Sequence, residues 1–233
     1  MRPKAVRTAL ALAVVASLAV ACGSQPPVSP PSGVDELVIP TPSPDPEDFV
    51  ARIDNPLLPL SPGSTWVYDS TGGEDDETVT VRVLDETRPV AGLDATVVEE
   101  VTTGGDAPQE IRRFYAQDRA GNVWNLGTEG DWEAGVDGAR AGIAMLAKPR
   151  LGDGYLAEDA PGVAEDQVRI LALDADVVVP FGSFRDAVLT QVASPLEPTR
   201  DERWSYVVGI GKVAALDHNG GDLVVELVSY TEG

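Results

Sequence analysis

The sequence predicts a mainly β protein: a strongly curved antiparallel β-meander sheet or open barrel with few short helices. Three observations carry that expectation. Short runs alternate apolar and polar residues, as in residues 78–84 (TVTVRVL), where Val79, Val81 and Val83 share one face, and again in residues 96–101 and 111–115. Turn chemistry separates the runs at close intervals, and consecutive hairpins make a meander. No strand alternates regularly with a helix, which argues against a parallel α/β sheet.

Taken in order, residues 1–21 read as a signal peptide. Arg2, Lys4 and Arg7 precede a run of 13 residues, 9–21 (ALALAVVASLAVA), in which only Ser17 is polar. As a helix rising about 1.5 Å per residue, such a run falls well short of a ~30 Å hydrocarbon core, so it is a leader and not a span. Residues 18–23 (LAVACG) resemble a bacterial lipobox, in which the thiol of an obligatory Cys, here Cys22, takes a diacylglycerol before the leader is cut off. An A-x-A cleavage site at Ala19-Val20-Ala21, releasing a soluble protein, is the alternative. A diacylglycerol supplies the two acyl chains that stable anchoring needs. Residues 22–46 form the lipidated Cys and a Pro-rich tether: 8 of the 19 prolines fall between Gln25 and Pro46. Proline removes a backbone donor and favours extended polyproline II, which makes this segment a spacer.

Residues 47–233 are expected to form a single β-rich extracytoplasmic domain. A short helical stretch is expected at residues 47–53. Turns are expected at residues 71–76, 103–106, 118–122 and 219–222, the last with Asn219-Gly220 suited to positive φ. Residues 131–166 are Gly-rich and poorly periodic, and 139–147 read as either a short helix or an apolar loop crossing the sheet. The C-terminal third is the clearest part: five strands at 175–179, 185–193, 202–207, 211–217 and 223–231, with Pro180-Phe181-Gly182-Ser183 as a hairpin connection.

Composition excludes several function classes. The 233 residues hold 17 basic against 38 acidic side chains, a net charge of -21 that becomes -24 once residues 1–21 are removed. Phosphate backbones repel such a surface, so no nucleic-acid partner is expected. One Cys and one His leave no disulfide framework, CxxC site or multi-His metal site, so no cofactor and no metal is expected.

The remaining candidates are read against plainer explanations. His218, the only imidazole, precedes a predicted hairpin turn and no Gly-x-Ser-x-Gly elbow exists, so catalysis is not expected there. Gly182-Ser183-Phe184 and Gly63-Ser64-Thr65 read as hairpin connections. Glu99 and Glu100 are adjacent on a strand and face opposite sides, so they cannot flank one substrate as general acid and base. Glu165-Asp166 and Asp174/Asp176 read as solvated faces. Asp217-x-Asn219-x-x-Asp222 and Glu74-Asp75-Asp76 offer oxygen ligands but match no repeated Ca²⁺ motif. Gly209-Ile210-Gly211-Lys212 lacks the phosphate-loop spacing and leads into a strand, so it reads as a turn. Aromatic residues recur near strand centres, and Trp66, Tyr68, Trp124, Trp204 and Tyr206 are the candidate lining of an apolar-ligand pocket, with an ordinary sheet core as the competing explanation.

The chain resembles a group of uncharacterised actinobacterial cell-envelope lipoproteins whose domains open with a phrase like Ile53-Asp54-Asn55-Pro56, Pro59-Leu60, Pro62-Gly63, Trp66 and Tyr68. Residues 115–118 (YAQD), 121–124 (GNVW), 132–138 (WEAGVDG), 162–166 (GVAED) and 180–184 (PFGSF) extend the resemblance over most of 49–233. Where that group has Tyr-x-Pro-Gly-x-Gly, this chain has Val208 in place of Pro. More remotely, residues 180–184 followed by 206–213 are similar to half-barrel envelope lipoproteins that cradle lipids, a likeness of fold only. The anchor, the tether that confines the domain near the membrane and the concave face of a curved sheet lead to the expectation of a non-enzymatic lipoprotein held on the extracytoplasmic face of the cell membrane by a diacylglycerol anchor, with a domain that binds an apolar or lipid ligand. An interaction module recruiting an envelope partner is the first alternative, and a polysaccharide hydrolase the second.

Overall fold

In the computed structural model the described residues are 45–73, 75–218 and 222–233, so the expected leader, Cys22 and the tether lie outside them. The order of strands is β1 (Phe49–Val50), β2 (Thr65–Thr71), β3 (Glu77–Val90), β4 (Leu93–Thr103), β5 (Gln109–Asp118), β6 (Val123–Thr128), β7 (Trp132–Glu133), β8 (Gly142–Met145), β9 (Gly154–Leu156), β10 (Gln167–Val179), β11 (Gly182–Ala193), β12 (Asp201–Val207), β13 (Gly211–Asp217) and β14 (Val224–Thr231). All belong to one antiparallel, curved, unclosed sheet, as the sequence predicts.

The sheet is two meanders joined by the ends of the domain. Its order runs β7-β6-β5-β4-β3-β2-β14-β13-β12-β11-β10-β9, with β1 added on β5 and β8 on β6. Every neighbour is a hairpin partner except the central seam, where β14 meets β2 with Tyr230 opposite Trp66 and Leu227 opposite Tyr68. Trp66 and Tyr230 stack there at 5.2 Å between ring centroids, and the Gly233 N–H donates to the buried Ser64 hydroxyl at 3.1 Å. The outermost strands, β7 and β9, have only two and three residues, which shortens the exposed hydrogen-bonding edge.

Residues 134–166 carry the chain from one edge to the other. On the way β8 pairs with β6, and Gly142 passes so close to Ala157 that a Cβ on it would sit 2.3 Å from the Ala157 carbonyl oxygen. Arg140 bridges to Asp159 by backbone and by side chain, Nε to Oδ2 at 2.7 Å, tying the stretches that flank β8 and β9.

Two local expectations are corrected. Residues 47–53 do not form a helix: only a 3₁₀ turn spans Pro46–Asp48, capped by Asp45, before Phe49 and Val50 join the sheet against Asp118 and Gln117. Pairing with β5 outcompetes a helix too short to nucleate by itself. Residues 139–147 hold strand β8 instead of a helix or a plain loop, because the β6 backbone offers it a ladder.

The opening phrase forms a plug. Asn55 is 2% exposed; its amide donates to the carbonyls of Gly121 (2.8 Å) and Leu146 (3.2 Å), and its side-chain oxygen accepts from the Leu57 N–H (2.8 Å). Gln117 Oε1 accepts from the N–H groups of Asp54 and Asn55. Those bonds hold Leu57 and Leu60 in the core and turn Leu58 and Leu60 to the concave side of the sheet.

Candidate functional site

The concave side is not filled. A cavity of about 700 Å³ lies across the central seam, walled by side chains from both meanders. That volume is in the range of small-molecule sites. Strand alternation selects its lining: Trp66 and Tyr68 from β2, Val81 from β3, Val98 and Glu100 from β4, Ile111, Arg113 and Tyr115 from β5, Trp204 and Tyr206 from β12, Lys212 from β13. The plug supplies Leu58 and Leu60, the edge-to-edge segment supplies Ala144, Ala157 and Glu158, and the exposed Glu110, Glu129 and Asp131 complete the lining, Glu110 bridged to Arg112 and Glu129 to Arg88.

Two aromatic side chains fix the floor. Trp66 Nε1 donates to the Ile210 carbonyl at 2.7 Å and the Tyr68 hydroxyl donates to the Lys212 carbonyl at 2.8 Å, so β2 reaches past β14 to grip β13. These bonds satisfy the polar tips and leave ring faces to the cavity.

Charged groups stand half-buried against this aromatic wall, and Asp166 is buried. Arg113 Nη1 pairs with Glu100 Oε2 at 3.0 Å, and Arg200 Nη1 pairs with Asp166 Oδ2 at 2.7 Å. Lys212, opposite Tyr206 in the hairpin, extends its ammonium over the Trp204 ring at 4.6 Å and the Tyr68 ring at 5.8 Å. Burial lowers the Lys212 pKa, against an opposing pull from Glu100. Burial raises the Glu158 carboxyl, with Asp166 adding to it, and raises Asp166 itself against the pull of Arg200. Burial also pushes the Tyr115 phenol up to about 12 and Tyr206 well above its ordinary value, so both are neutral O–H groups at physiological pH.

Comparison with known proteins adds little to this geometry. No family model matches the chain. No curated protein matches it either. Among solved structures, it is similar to a Bacteroides fragilis protein described as exported and as having a YmcC-like fold, with 11% identity over 76% of this chain and 99% of that one and a TM-score of 0.44. It is also similar to a protein from Parabacteroides distasonis described as a lipoprotein, with 13% identity over 75% of this chain and 98% of that one and a TM-score of 0.36. At such scores neither neighbour assigns a role to this chain.

Of the five aromatic residues singled out by sequence, Trp66, Tyr68, Trp204 and Tyr206 line the cavity and Trp124 does not. Trp124 is buried beside Phe49, ring centroids 6.3 Å apart, with its Nε1 donating to Asp118 Oδ2 at 2.9 Å. Glu99 and Glu100 do point to opposite faces, each taken by its own arginine, Arg112 and Arg113. His218 is exposed at the end of β13. Gly182 and Ser183 begin β11 after the two-residue connection Pro180-Phe181, and Ser64 is a buried acceptor before β2. Asn219 and Glu74 lie outside the described residues; among the described residues no group of three or more His, Cys, Asp or Glu is placed to hold a metal ion.

The charged lining, Lys212, Arg113, Glu100, Glu158 and Asp166, is not anticipated by the sequence reading. For Lys212 a signal exists: a hairpin closed at Gly209 puts it opposite Tyr206, on the same face.

Proposed function

We propose that the chain is an extracytoplasmic lipoprotein, anchored to the cell membrane through a diacylglycerol on Cys22, whose domain binds a small apolar or amphiphilic ligand without transforming it. The cavity across the seam carries this reading. Trp66, Tyr68 and Tyr206 belong to the packed core and, together with the half-buried Trp204, also wall the cavity, so the same aromatic residues that build the sheet present apolar surface to a guest. The anchoring half of the reading rests on the lipobox-like LAVACG and the Pro-rich segment behind it.

Binding is favoured over hydrolysis by how the carboxylates stand. Glu158 and Asp166 come from one stretch of chain, the Glu158 N–H donating to the Asp166 carbonyl, and burial pushes both carboxyls the same way. Glycoside cleavage calls for two carboxyls held apart across a bond and shifted in opposite directions.

Two experiments test the two halves. Cys22→Ser should leave the leader uncleaved or shed the protein into the medium; normal processing with unchanged membrane retention would refute the anchor. The apolar fluorophore N-phenyl-1-naphthylamine should bind the full chain saturably, and Val98→Trp, which intrudes on the cavity from β4, should weaken that binding. Equal binding by both chains would refute the site.

A further inference from the structure

We infer that Lys212 is the anchoring point for the oxyanion head of an amphiphilic ligand, a carboxylate or a phosphate monoester, whose apolar body lies against Trp66 and Tyr206. The inference rests on the cavity being a binding site and names the class of molecule it takes.

The ammonium is the group in the cavity with unused capacity. It carries three N–H donors, and among the described residues it makes no ion pair and no hydrogen bond; its contacts are the ring faces of Trp204 and Tyr68. Ring faces attract a cation but accept no strong hydrogen bond, so the site is half built. The nearby carboxylates act on it only at longer range, because Glu100 is held by Arg113, Asp166 by Arg200, and Glu202 by Arg200 and the Trp204 indole N–H.

Two phenols belong to the same lining: Tyr115, and Tyr206, which pairs with Lys212 across the hairpin and so shares its face. One ammonium and two phenols against an aromatic wall suit an oxygen anion joined to hydrocarbon. The net charge of -21 selects against free polyanions and leaves an amphiphile with one small anionic head as the better guest.

The test uses the full chain in a non-ionic detergent, titrated by tryptophan fluorescence with decanoate, decyl phosphate, 1-decanol and inorganic phosphate. Decanoate or decyl phosphate should bind at least about tenfold more tightly than decanol. Lys212→Met should bring the anions down to the affinity that the same variant shows for decanol, and Lys212→Arg should retain the preference. Decanol binding as tightly as both anions, or an undiminished preference in Lys212→Met, would overturn the inference and leave the cavity reading standing. Failure of every probe to bind would overturn both. Inorganic phosphate binding as tightly as decyl phosphate would overturn the amphiphile and keep an oxyanion site. Should Lys212→Met fail to fold, the ratio of decanol to anion affinity in the unaltered chain still decides.

Discussion

Replacing Asn55 by Ala should unlatch the plug that closes the cavity. The side chain makes three hydrogen bonds, two part-buried ones to the Gly121 and Leu146 carbonyls at 2.8 and 3.2 Å and a buried one from the Leu57 N–H at 2.8 Å. A neutral hydrogen bond contributes about 1 kcal/mol net, and a buried partner left unsatisfied costs roughly 1–3 kcal/mol more. Water entering the vacated space recovers part of that, so the expected loss is about 3–4 kcal/mol. For a domain with an m-value near 2 kcal/mol/M this lowers the urea midpoint by about 1.5–2 M. Asn55→Asp should be no milder, because it keeps the acceptor for Leu57 but turns a carboxylate toward two carbonyl oxygens. Urea unfolding followed by tryptophan fluorescence reads both variants. A loss below about 1 kcal/mol for Asn55→Ala would refute the latch, since one ordinary hydrogen bond would account for it.

Other perturbations test separate parts of the account. Gly142→Ala should destabilise by at least about 1–3 kcal/mol, because its Cβ would meet the Ala157 carbonyl at 2.3 Å and backbone must yield; thermal unfolding unchanged from the parent would contradict that close approach. Lys212→Met should raise stability at neutral pH by about 1–2 kcal/mol, the burial cost of an unpaired ammonium less the attraction of two rings. The sign follows from its lowered pKa: the folded chain binds that proton less tightly than the unfolded chain, so the penalty is full below the lowered value and fades as pH climbs toward the ordinary lysine value. Glu158 works in the opposite sense, its raised pKa giving stability that is full below the ordinary carboxylate value and lost as pH rises through the raised one. Glu158→Gln should therefore flatten the decline of the urea midpoint across that window, and an unaltered pH profile would show that Glu158 is solvated.

The gain expected for Lys212→Met bears on function. A buried cation that weakens the fold is retained at a cost, and a guest that supplies its missing acceptor would recover that cost on binding.

How much of this was legible in the sequence differs by element. Val79, Val81 and Val83 alternate because one sheet face is packed, and the hairpins of the C-terminal third announce themselves through Pro- or Gly-containing connections, so the sheet could be read locally. The seam between β14 and β2 could not, since nothing near residues 65–71 or 224–231 specifies a partner over 150 residues away. Trp124 shows the limit of periodicity: residues 123–127 of β6 are buried without alternation, covered by their neighbours on both faces, so the pattern does not say where its ring points. The helix expected at 47–53 gave way to pairing with Asp118 and Gln117, a tertiary choice that local propensity does not contain. Lys212 was hidden by its setting in Gly209-Ile210-Gly211-Lys212, which draws the eye to the turn, while its face is fixed by the pairing of Tyr206 across the hairpin and by an irregularity after Ser205.

The most direct measurement is native mass spectrometry of the full chain purified from its own membranes, followed by organic extraction of whatever accompanies it. The account predicts one non-covalent guest per chain, an amphiphile with a carboxylate or phosphate-monoester head, small enough for about 700 Å³ and reduced in the Val98→Trp variant. A clean mass for the chain alone, unchanged after incubation with decanoate or decyl phosphate, would contradict it.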